Sequence, residues 1–105
     1  MDTFSINDIQ PKLRKTVTWL RGLGFKTCDS GDGVTNVEAG MEGALEIPHV
    51  AMAVDPDKMK EESHRLYFAC QRAGIEGKIE VLYDPADGVA ILMLYDVLDD
   101  CFPPV

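Results

Sequence analysis

The stretch YDPADGV at residues 83–89 decides how this chain is read, because CDSGDGV at 28–34 repeats most of it. D-x-x-D-G-V written twice is either a site built from paired carboxylates or a turn used twice. The surroundings of the second copy favour the turn. KIEVLYD (78–84) precedes it and VAILMLY (89–95) follows, both strand-like runs. Pro85 suits the second position of a type I turn, and Gly88 supplies the positive φ that closes such a hairpin.

Working outward, each copy follows a helix and a glycine. A first helix is expected from about Asn7 to Arg21. Asn7 and Gln10 have capping-box spacing and Pro11 is tolerable only in a first turn. Ile9, Leu13, Val17 and Leu20 form its apolar face. Gly22 and Gly24 stop it, and a short strand over 25–29 leads into the first motif. The second helix starts at Asp55 as N-cap with Pro56 behind it, and stops at Gly74. Met59, Leu66, Cys70 and Ala73 share one face, and Glu61 with Arg65 has ion-pair spacing. HVAMAV (49–54) is a further strand. The expected fold is therefore α+β, in the order α-β-β-α-β-β: two similar halves, a mainly antiparallel four-stranded sheet and two helices on one face. Asp29 and Asp84 then accept local turn bonds, and Gly33 and Gly88 take left-handed positions. The halves differ in one respect, a long irregular excursion at 34–48.

A length of 105 residues predicts one domain over 1–105 with a modest core. Eighteen acids against ten bases give a net charge of −8. That speaks against direct nucleic-acid binding and against anionic membranes, and is compatible with a basic protein partner. Three widely spaced cysteines, Cys28, Cys70 and Cys101, read as reduced thiols. The N-terminus lacks the pattern of a signal peptide and no apolar run is long enough to span a bilayer, so a cytoplasmic location is expected.

Site chemistry is sparse. Asp29, Asp32, Asp84 and Asp87 would form a hard-cation site only if two hairpin tips met, and their spacing is not that of an EF-hand. No metal, cofactor or catalytic set is assigned. His49 and His64 lack metal-ligand spacing, and no phosphate-loop or nucleophile-elbow motif occurs. Trp19 and Phe68 are more informative, because helical geometry puts each off its apolar stripe. Phe68 shares its side with Asp57, Glu61, His64 and Arg72. The last strand is apolar on both faces, with Ile91, Met93 and Tyr95 on one and Ala90, Leu92 and Leu94 on the other. A sheet with helices on one side only would alternate. A second cover is thus expected: a homodimer that buries one sheet face through Ile91, Met93 and Tyr95 or through Leu92 and Leu94, with the excursion as the competing cover.

The run GLGFKTCDSGDG, with PHV and YDPADG downstream, resembles small uncharacterised proteins of bacteriophages and prophages. The resemblance implies a bacterial cytoplasm and an accessory role toward host macromolecules or nucleotide signals, and carries no catalytic residue across. The reading reached is a non-enzymatic acidic binding protein that acts on a host macromolecule with a basic surface. Trp19, Phe68, Glu61 and Asp57 are its contact residues, and the Asp96, Asp99 and Asp100 cluster adds steering charge. The alternative is a binder or sequesterer of a nucleotide-like ligand under the excursion, with Glu38, Glu42, Glu46 and His49 at its mouth. A small hydrolase using His49 and nearby carboxylates ranks last.

Overall fold

Two strands that are distant in sequence form the middle of the sheet. The computed structural model describes residues 9–33 and 47–102. Its elements are α1 (Arg14–Gly22), β1 (Lys26–Gly31), β2 (His49–Val54), α2 (Met59–Ala73), β3 (Lys78–Asp84) and β4 (Val89–Tyr95). All neighbouring strands are antiparallel and the sheet order is β1-β2-β4-β3. The expected α+β fold with two similar halves is the one observed: each half contributes a helix, an edge strand and a central strand.

Val50 and Met52 of β2 lie beside Leu94 and Leu92 of β4. These four join Leu13, Val17 and Leu20 from the α1 side and Leu66 and Cys70 from α2 in one buried cluster. Both helices therefore cover the same sheet face. Transfer of these side chains from water is the main stabilising term, about 1.5–3 kcal/mol for each large one.

The helices start and stop alike. Each begins with a proline-led 3₁₀ turn, Pro11–Leu13 before α1 and Pro56–Lys58 before α2. Each ends in a glycine of positive φ, Gly24 at 92° and Gly74 at 69°. The N–H of Phe25 donates to Leu20 O at 3.1 Å, and that of Ile75 to Cys70 O at 2.9 Å. These are the long bonds of two Schellman motifs, each closed by a buried apolar residue after the glycine.

Several details depart from the sequence reading. Asn7 lies outside the described residues. Gln10 Oε1 accepts from the N–H of Asp32 at 2.6 Å, tying the chain before α1 to the end of β1. The first strand runs two residues beyond its expected end. Asp29 sits inside it opposite Ala51, after a bulge at Cys28, rather than opening a turn. The second motif does form the tight hairpin: Asp84 pairs with Val89. There Asp84 Oδ1 accepts from Ala86 N–H at 3.0 Å and Gly88 has φ 64°. Arg65 pairs not with Glu61 but with Glu62, at 2.7 Å. Its guanidinium also donates to Leu23 O and lies 3.9 Å over the Phe25 ring, which directs it toward the end of α1.

Candidate functional site

The expected contact residues do not converge. Trp19 is only partly exposed and packs against the core. Its ring meets Phe102 edge-on, centroids 5.4 Å apart, so it holds the C-terminal segment to α1. Asp99 belongs to the same strap. Its Oδ1 accepts from the N–H and hydroxyl of Thr16 at 2.9 and 3.1 Å, and its Oδ2 from Lys15 N–H at 3.0 Å. This carboxylate therefore caps the start of α1 from 83 residues away. Nothing in local sequence marks it, because an N-cap is sought just before its helix.

Phe68, Glu61 and Asp57 stay in the open. Phe68 is 54% and Tyr67 51% exposed, and their rings meet edge-on at 5.6 Å. Glu61, His64 and Asp57 are exposed too, and the helical period brings Glu61 and His64 to the Phe68 side of α2. Gln71 donates to the Tyr67 hydroxyl at 2.9 Å. The outer side of α2 thus presents an aromatic pair among carboxylates. Sequence reasoning found Phe68 by its period and missed Tyr67.

The remaining exposed large apolar residues include Val81, Leu82 and Tyr83 of β3 and Val89 of β4, each at least 40% exposed. On the sheet face away from the helices, Ala51 and Met93 are buried while Ile91 and Tyr95 are half-buried. Leu92 and Leu94 lie under the helices, so they are not part of any free face. Tyr95 donates its hydroxyl to Glu80 at 2.8 Å, and that bond holds the phenol above its ordinary pKa.

Groups that could do chemistry are tied up or scattered. His49 is buried, and its Nδ1–H donates to Ile47 O at 3.0 Å. Its ring lies against Gly31, where a Cβ would come within 2.8 Å of Cε1. Glu38, Glu42 and Glu46, expected near it, lie outside the described residues. Burial pushes the Cys70 thiol up. Burial and then the Asp29 charge do the same for Cys28, whose Sγ–H donates to Ala51 O at 3.5 Å. Neither is an activated thiolate, since activation lowers a thiol pKa. Cys101 is exposed. Among the described residues no cluster of three His, Cys, Asp or Glu could hold a metal, and no helix is long and apolar enough to cross a membrane.

A cleft of about 530 Å³ opens where the start of α2 meets the start of β1 and the end of β2. Lys26, Lys58, Asp55, Glu62 and Arg65 line it. Arg65 is spent on Glu62 and Leu23 O, and Asp55 caps the following turn through Asp57 N–H at 3.0 Å. The cleft is thus bordered mainly by groups that hold the fold. The chain matches no protein-family model, and no curated protein or solved structure matches it either.

Proposed function

We propose that this is a non-enzymatic, acidic binding protein whose contact surface is the outer side of α2, and that it self-associates. The observation that carries the reading is the exposed Tyr67–Phe68 pair on a helix that also displays Glu61 and Asp57. Large aromatics at the centre and charges at the rim are the usual make-up of a protein contact. With a net charge of −8, a basic partner surface is the complementary one, and long-range attraction would speed its capture. The context implied by the sequence resemblance fits this role: an accessory protein of a phage or prophage acting on a host macromolecule in the bacterial cytoplasm.

The test is affinity capture from bacterial lysate with the wild-type chain, Phe68→Ser and Glu61→Lys, at low and high salt. A set of basic proteins held by the wild type, released by salt and lost from both variants is the expected result. Identical capture by all three chains would overturn the reading. The runner-up, a small anionic ligand, has Lys26 and Lys58 at the cleft in its favour. A thermal shift with nucleotides that disappears in Lys26→Ala would favour it instead.

A further inference from the structure

The four-stranded sheet has two edges, and they are built differently. β1 carries a bulge at Cys28 and the polar run Lys26, Thr27, Asp29 and Ser30. Bulges and charges are how edge strands resist further pairing. β3 is seven residues long, pairs with β4 without a register shift, and has no described strand on its other side. Its middle residues Val81, Leu82 and Tyr83 are 40%, 45% and 48% exposed. An edge this regular, with three exposed apolar residues side by side and its charges near the two ends, is a template for one more strand.

The sequence of β3 selects its partner. We infer that β3 pairs antiparallel with β3 of a second copy, about a two-fold axis at Val81, joining two sheets into one continuous eight-stranded sheet. In that register Lys78 lies opposite Asp84 of the second copy, and by symmetry the same ion pair forms at the other end. Ile79 lies opposite Tyr83, and Val81 opposite itself. The neighbouring symmetric registers are penalised. Centring on Glu80 sets it against its own copy, and centring on Leu82 sets Glu80 against Asp84. Like charges directly opposite each other destabilise a strand pair. Registers centred between residues would place side chains of opposite faces together, because the side-chain period is two.

The helix layer extends the seam. Arg65 reaches toward the end of α1, and Tyr67, two positions on, is turned about 200° from it. Tyr67 therefore lies on the flank away from α1, where it borders one hollow with Ile79 of β3. A second copy would bring the same ring and the same strand to the other side of the seam. The contact is isologous and closes at two chains. Pairing β3 with β1 would instead run on into a filament, and the bulge and polar side chains of β1 oppose it.

The inference rests on the self-association in the proposed function and gives it a geometry. Light scattering on a dilution series of the full chain tests it, with folding checked by circular dichroism. The wild type should show a two-chain mass that falls to one chain on dilution. Lys78→Glu and Asp84→Lys should each raise the dissociation constant by a factor on the order of 30, since two symmetry-related pairs turn from attraction to repulsion. An equimolar mixture of the two variants should recover a two-chain mass, because each Glu then meets a Lys and each remaining native Lys meets a native Asp. A one-chain mass for the wild type at its highest soluble concentration overturns both the edge contact and self-association. A two-chain mass unchanged in both variants overturns the edge contact alone and moves the seam elsewhere, for instance to Ile91 and Tyr95.

Discussion

The two halves agree where the chain changes direction and differ where it meets its surroundings. Both open their helix with a proline-led turn and close it with a Schellman glycine followed by a buried apolar residue, Phe25 or Ile75. Both place the next strand at a sheet edge and the one after it at the centre. The edges then diverge: β1 is bulged and mostly polar, while β3 is regular and exposes Val81, Leu82 and Tyr83 side by side. The helix starts diverge as well. α2 is preceded by a turn capped by its own neighbour Asp55, whereas α1 is capped by Asp99 from the far end of the chain. A repeated framework fixes the turns, and the positions it leaves open carry the differences between the two edges and the two caps.

The largest expected effect separates the two caps. Asp99 serves two backbone N–H groups and the buried Thr16 hydroxyl. Asp99→Ala should cost about 2 kcal/mol, the upper end for loss of a cap, because it also leaves a buried hydroxyl without that partner. Asp55→Ala, which removes one exposed bond, should cost about 1 kcal/mol or less. Urea midpoints at constant slope measure both. Equal losses would mean that the strap across α1 adds nothing beyond an ordinary cap, and that the halves are more alike than described.

The stop signals should behave as a matched pair. Gly24 and Gly74 have φ of 92° and 69°, and a Cβ at either would meet no atom within 4 Å. Alanine at each position is therefore opposed by the left-handed backbone alone, a cost of about 1 kcal/mol. Gly24→Ala and Gly74→Ala should lower the urea midpoint by similar amounts, and the double variant should lose the sum, the sites being independent. A loss at one site several times that at the other would break the equivalence of the two helix ends.

What was legible in the sequence follows the same division. Local signals were read correctly wherever the backbone itself needs a particular residue: Pro56 and Gly74 around α2, and Pro85 and Gly88 in the tight hairpin. Of the periodic faces, Leu13, Val17 and Leu20 and then Leu66 and Cys70 are in the core, whereas Met59 is only partly buried and outside it. Partners distant in sequence were not legible: Asp99 caps α1 and Trp19 packs on Phe102. Arg65 pairs with Glu62 rather than Glu61. Composition and spacing give each residue type its options. Only the chain path that brings residue 99 to residue 16 selects among them. The difference between the two edges was half legible, since VLY in β3 was plainly apolar but its place at the rim depends on the strand order.

The smallest effect concerns Cys70, which closes its Schellman motif where the first half uses Leu20. Leucine has no proton to lose, so of these two matched positions Cys70 is the one that responds to alkali. Burial raises the Cys70 thiol above its ordinary value. As pH rises past that ordinary value, about 8.5 in an unfolded chain, the unfolded state loses the proton while the folded state keeps it. Stability is therefore complete below that pH and declines as pH climbs toward the folded-state value. Cys28, also raised, contributes in the same direction. Urea unfolding from pH 7.5 to 10 should show a falling midpoint for the wild type. Cys70→Ala should start lower, because a buried side chain is truncated, yet fall less steeply. Parallel slopes for the two chains would mean that the thiolate is accommodated in the fold and that Cys70 and Leu20 are electrostatically interchangeable.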